Sequence, residues 1–247
     1  MPTQPDGTAR QTHAGADEAL TEAAFRTGDF DVPGRLFAQA QARAVAEGNR
    51  RSEALALGGL GMTLHYRNIT SLIAGADPAE GDVAEEASLM DRALARWRET
   101  GDAAGTGWGL FCVGLVWQVL HRDWDTAMTC FWPAFGLAEA VEESGDLHGC
   151  AEIHRHLGFY YLVEDVRPGE AVRRLTYSLG LRERIGDPRL LPSALTALGE
   201  AELAAGRPGR AAGLLDRAVR LAREHGLLPW RINDAEETLR KARAARP

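Results

Sequence analysis

Residues 144–165 read "SGDLHGCAEIHRHLGFYYLVED". The stretch opens on Ser-Gly-Asp, which reads as a helix stop followed by a start: glycine suits the left-handed C′ position, and aspartate caps the next helix. Residues 152–165 then gather three acidic side chains, His154, His156, Arg155 and two tyrosines. Either this is a site for metal or acid–base chemistry, or it is one helix of a scaffold. The rest of the chain decides, because the punctuation recurs. "EGN" at 47–49, "TGD" at 100–102, "IGD" at 185–187 and "HGL" at 225–227 place stop glycines at Gly48, Gly101, Gly186 and Gly226, alongside Gly145. Leu60-Gly61, Val113-Gly114, Leu157-Gly158 and Leu198-Gly199 follow their stops in register. A glycine inside a helix costs ~1 kcal/mol against alanine, so four in register call for the close approach of a neighbouring helix.

A second helix follows each time, with small apolar residues at helical spacing: "AEEASLMDRALARWRETG" from 84, "AVRRLTYSLGLRERIG" from 171 and "AAGLLDRAVRLAREHG" from 211. No run alternates as a half-buried strand does. Helix pairs of this kind cannot bury their faces alone and must stack. The segment "ITSLIAGADPAEGD" at 69–82 reads as an insertion that lengthens one repeat. The pairs fall near 15–47, 50–99, 102–144, 146–185 and 187–225, and 229–245 is expected to be a polar terminal cap.

The pattern resembles the tetratricopeptide repeat (TPR) family. An apolar or core residue, then an apolar residue and glycine, then an aromatic stand at His154-Leu157-Gly158-Tyr161 and Leu110-Val113-Gly114-Trp117, and Pro168 and Pro208 match the family's proline between repeats. The period is nearer 40 residues than 34, as in a long-period bacterial variant. The resemblance implies an all-α fold: a right-handed superhelical array of antiparallel helix pairs with a C-terminal capping helix. One domain from residue 15 to 247 is expected, after a disordered lead-in over residues 1–14.

Composition narrows the function. A formal charge of −7 argues against nonspecific nucleic-acid binding, and the arginines of 207–223 alternate with acids as on a solvated helix face. Lys241 is the only lysine, which leaves Schiff-base chemistry one candidate. Cys112, Cys130 and Cys150 form no C-x-x-C and read as reduced, buried thiols of a cytoplasmic protein. The uncharged segment from Ala103 to Leu120 reaches membrane-spanning length, but its four glycines and Gln118 favour a helix buried on most sides. No membrane role is expected.

Candidate chemistry is sparse. No nucleophile elbow, phosphate loop, zinc helix or dinucleotide fingerprint is present, and "LGGLGM" at 57–62 lies mid-helix. His154 and His156 point apart on a helix and cannot share an ion, and Cys150 with His154 makes only half a metal site. No cofactor or metal is expected. Pro133 should kink the helix of 124–144. By the resemblance, the first helix of each pair lines the ligand surface. It places His65, Tyr66, Trp108, Phe111, Gln118, Glu152, Arg155, Phe159 and Glu200 there, with Leu55, Met62, Leu115, Ser193 and Thr196. His154, Leu157 and Tyr161 lie on the next stripe and should pack against the helix of 168–185. The expected function is a binding or regulatory module holding a peptide segment of a protein partner, or a small apolar molecule. The family's Lys/Asn carboxylate clamp is absent. The alternatives are a cofactor-independent enzyme, with Glu152, His65 or His156 as acid or base, and a self-associating scaffold that forms a homo-oligomer.

Overall fold

The computed structural model describes the backbone of residues 7–245 and the side chains from His13 to Ala245. Its described residues form twelve α-helices and no strand. They fall into two compact units, the first ending at Leu137 and the second beginning at Ala138.

The first unit holds α1 (Gly7–Glu22), α2 (Asp31–Ala46), α3 (Arg50–Ile73), α4 (Glu80–Thr100), α5 (Ala103–Leu115) and α6 (Trp124–Gly136). The second holds α7 (Ala138–Glu143), α8 (Leu147–Val163), α9 (Pro168–Ile185), α10 (Leu191–Ala204), α11 (Pro208–Glu224) and α12 (Pro229–Ala244). Within each unit, consecutive helices pack as pairs: α1 with α2, α3 with α4, α5 with α6, then α8 with α9 and α10 with α11, with α12 closing on α10 and α11. Residues 7–14, expected as lead-in, are the first turns of α1. Residues 1–6 lie outside the described residues.

The stop-and-start punctuation works as the sequence implies. Gly48, Gly101, Gly145, Gly186 and Gly226 all have positive φ, between 60° and 89°. The side chains of Asn49, Asp102 and Asp146 accept from the backbone N–H of Ser52, Gly105 and Gly149, at 2.7–3.0 Å. Asp187 caps a short 3-10 turn ahead of α10 through Arg189 N, at 2.9 Å. One residue pair thus ends a helix and begins the next.

The internal glycines set how closely the pairs approach. A Cβ on Gly61 would stand 2.6 Å from Met90 Sδ, and one on Gly114 would stand 2.4 Å from the Phe131 ring. On Gly158 and Gly199 it would meet Leu175 Cγ and Leu215 Cγ at 2.6 and 2.7 Å. Each large side chain occupies the volume that the missing Cβ leaves, which is the packing reason for tolerating a glycine mid-helix.

Three elements differ from expectation. The insertion at 69–82 lengthens α3 and adds a loop before α4. The helix expected over 124–144 is two helices: Pro133 cannot donate to the carbonyl of Thr129, and regular helix stops three residues later at Gly136. Glu142 holds α7 to the second unit by accepting from Tyr177 Oη at 2.6 Å and Arg184 at 2.5 Å. The apolar stretch Ala103–Leu120, long and apolar enough to cross a membrane, is half buried rather than buried on most sides. Its glycine face lies against Trp97, Leu94 and Phe131, and its last turn, Val116–Leu120, is π-helical with Trp117 exposed.

Candidate functional site

In the second unit, α10 packs against α8 and α12, so the first helices of two pairs and the closing helix are neighbours. The face expected to be buried on α8 is buried. Leu157 and Tyr161 are core, and the His154 ring sits 4.4 Å from that of Tyr177 on α9. Burial, then the nearby Arg174, pushes the His154 imidazole down to about 4, so it is neutral at ordinary pH. The Cys150 thiol is pushed up to about 11 by burial first and Glu142 second. Among the described residues no group of three or more His, Cys, Asp and Glu is placed to hold a metal ion.

Glu152 is a correction. Expected on the ligand surface, it is buried and forms an ion pair with Arg182 of α9, itself only 2 % exposed. Arg182 also donates to Leu190 O at 2.8 Å and Ser193 Oγ at 2.7 Å. Burial alone raises a carboxyl, but Arg182 and Arg155 outweigh it and hold Glu152 well below the carboxylate range. This carboxylate is a structural brace between α8 and α9.

Arg155 and Phe159 do lie at the half-buried rim of α8, with the guanidinium 4.7 Å from the ring centroid. His156, one residue away from Arg155, is buried, and its ring lies edge-on to Phe159. Glu200 of α10 is half-buried, and Asp234 of α12 reaches solvent. These groups feel one another. Loss of hydration, then Asp234, pushes the Glu200 carboxyl up to about 7, against the opposing pull of Arg155, Lys241 and Thr238. Asp234 is raised by the same loss of hydration, and Arg155 opposes the rise. Asp234 has no counterpart in the sequence expectations. It sits on a helix read only as a cap.

The first unit rearranges the other candidates. Phe111 is core, stacked between Trp108 at 5.2 Å and Phe131 at 5.5 Å, so it offers no ligand surface. Met62 and Leu115 are likewise buried. Trp108, Tyr66 and Gln118 are half-buried, and Leu55 is exposed. His65 is buried toward α4, where its Nδ1 lies 2.7 Å from Glu86 Oε1, and Asn68 Nδ2 donates to Glu86 Oε2 at 2.8 Å. The signal for Glu86 was visible: it heads the apolar stripe Leu89, Met90, Ala93, Trp97 of α4. Arg182 likewise continues the stripe Ala171, Leu175, Ser178, Leu179 of α9. A charge on a core stripe announces a buried partner.

Successive helix pairs, stop glycines in the left-handed conformation and glycine-to-large contacts at one register are what the repeated stops and internal glycines of the sequence implied. The fold of the described residues is an all-α, TPR-like array of sequential helix pairs. No family model and no curated protein matches the chain. Among solved structures it is similar to nearly identical TPR-like repeats of a kinesin light chain from Podosopora anserina, with 15% identity and a TM-score of 0.46 over 88% of this chain and 96% of that one. It is similar also to a DHF58 filament, with 17% identity and a TM-score of 0.28 over 96% and 92% of the two chains.

Proposed function

We propose that this TPR-like protein is a binding module for a segment of a protein partner, and that the rim of α8, α10 and α12 is its ligand surface. The environment of Glu200 carries the reading: the residue is half-buried, and loss of hydration first and the Asp234 carboxylate second push its pKa up to about 7. A group left in that state lowers the stability of the free protein, and such groups cluster where a ligand completes the electrostatics. A lysine or arginine side chain of the partner would do so, with Phe159 as apolar contact and Arg155 fixing orientation. The overall charge of −7 favours a basic partner as well. A cytoplasmic location accords with the three free cysteines and belongs to the same proposal.

The test uses fluorescein-labelled twelve-residue peptides of matched hydrophobicity, one set rich in Lys and Arg and one rich in Asp and Glu, read by fluorescence polarisation. The basic set is expected to bind, and Glu200→Gln with Asp234→Asn to abolish binding while the melting temperature holds or rises. Equal binding of the acidic set, or of the double variant, rejects this surface.

A further inference from the structure

Two turns of the second unit run into the same three residue types. Arg167-Pro168-Gly169 opens α9 and Arg207-Pro208-Gly209 opens α11. Both arginines have a φ of −116°. Each is preceded by a residue in the left-handed region: Gly206 at φ 73° in one turn, Val166 at φ 41° in the other. Glycine adopts that region freely, whereas a β-branched side chain is strongly disfavoured there. The turn nonetheless holds Val166 in place. Asp165 N donates to Tyr160 O at 3.1 Å, and Arg167 N to Tyr161 O at 2.8 Å. The Arg167 guanidinium ion-pairs with Asp165 and lies 4.7 Å from the Tyr161 ring centroid. Val166 is 66 % exposed, more than any other large apolar side chain among the described residues.

A singly exposed valine needs no account. Val166 combines exposure with a backbone conformation for which the neighbouring turn uses glycine, and its side chain adds little to the packing of the fold. Departures from local preference of this kind gather at functional positions. Val163, itself 53 % exposed, stands on the last turn of α8, about 6 Å of helix rise beyond Phe159. The apolar surface of the rim thus continues along α8 toward the turn. Acids surround it: residues 163–170 hold Glu164, Asp165 and Glu170 against the single Arg167.

We propose that the α8–α9 turn receives an aliphatic side chain of the partner on Val163 and Val166, so that the ligand, resting on the rim reading above, is a basic segment with an aliphatic residue beside its cation. Charge selects the same partner at both places, Glu200 and Asp234 on the rim and Glu164 and Asp165 at the turn. An acidic segment is repelled by both, and a basic segment without apolar side chains leaves the two valines uncovered.

Two fluorescein-labelled twelve-residue peptides of equal charge, both rich in Lys and Arg, test this by fluorescence polarisation. One carries valines among its cations, and the other carries serines in their place. The valine peptide is expected to bind about 5- to 10-fold tighter, the scale of covering part of a valine-sized apolar surface. Asparagine tolerates the left-handed region and offers no apolar contact. Val166→Asn should therefore hold or raise the melting temperature and erase the preference for the valine peptide, while Val166→Ile should keep it. Suppose both peptides bind the parent equally, or the preference survives Val166→Asn, and binding is still lost in Glu200→Gln with Asp234→Asn. The turn is then no contact and the rim reading stands. A lower melting temperature in Val166→Asn makes the valine structural and overturns the proposal as well. If neither peptide binds the parent, the rim reading fails and this inference with it.

Discussion

Gly158 and Leu175 share one volume: a Cβ on the glycine would stand 2.6 Å from Leu175 Cγ and 2.8 Å from a methyl carbon. The contact joins α8 to α9 and is repeated, with other large residues, at Gly61, Gly114 and Gly199. An alanine at Gly158 gains ~1 kcal/mol of helix propensity but collides with a leucine that is 1 % exposed and has little freedom to move. Gly158→Ala is therefore expected to destabilise, and Gly158→Leu to cost at least ~1–3 kcal/mol. In a Leu175→Ala background the sign of Gly158→Ala should reverse, because the obstacle is gone. Urea titrations of the four proteins measure this, and additive effects would contradict the shared volume.

This register was legible because two independent marks, the stop and the internal glycine, kept one interval. The assignment of faces was only partly so. His154, Leu157 and Tyr161 fell inside as expected, whereas Glu152, two residues before His154, also fell inside. Helical geometry places side chains to within a face. It does not reveal that Arg182 of the next helix would arrive with a charge to match. The same limit misplaced Phe111, whose stripe carries enough aromatic bulk to read as either surface or core. His65 was sought on the ligand face and found turned toward Glu86. In each case the missing information was the partner helix, which single-helix periodicity does not carry.

The Glu152–Arg182 pair should behave as a buried brace. Removing one partner leaves the other charge buried and unpaired, so Glu152→Ala or Arg182→Ala is expected to cost ~3–5 kcal/mol, while the double change to leucine and methionine should recover much of it. The acid limb follows from the depressed carboxyl. Its folded pKa lies below the ordinary 4.5, so its stabilisation is present above that pH and is lost as pH falls toward the folded value. Unfolding measured from pH 6 to 3 should show a loss that Glu152→Gln lacks.

His154 gives a separate pH window. Its pKa falls from 6.5 to about 4 on folding, so the unfolded chain takes up the proton first as pH drops. Above about 6.5 the residue contributes no pH dependence. Between about 6.5 and 4 it should lower stability, by on the order of 3 kcal/mol in total. His154→Phe keeps a ring against Tyr177 and removes the titration. The difference in unfolding free energy between variant and parent should thus grow steadily from pH 7 to pH 4. A constant difference would mean that the imidazole is hydrated and charged, and would reopen it as a site residue.

Glu200 reverses that sign, and it separates binding from stability. Its folded pKa of about 7 lies above the ordinary 4.5, so between those values the native state holds a proton that the unfolded chain has released. Stability is then unaffected below about pH 4.5 and falls as pH rises to about 7, where the native carboxyl finally ionises. The side chain is half-buried, so solvent screens part of the effect and ~2 kcal/mol is a reasonable scale. Glu200→Gln abolishes the titration and should stabilise the protein by roughly that amount at pH 8, while changing little at pH 4.5. Arg155→Ala should act in the opposite direction at pH 8, since it removes the cation that moderates both Glu200 and Asp234. A scaffold carboxylate would not be more useful absent than present. If Glu200→Gln is more stable at pH 8 and also loses the basic peptides, the residue is maintained for its ligand. If the variant is less stable at every pH, Glu200 is a structural group and the ligand surface must be sought elsewhere.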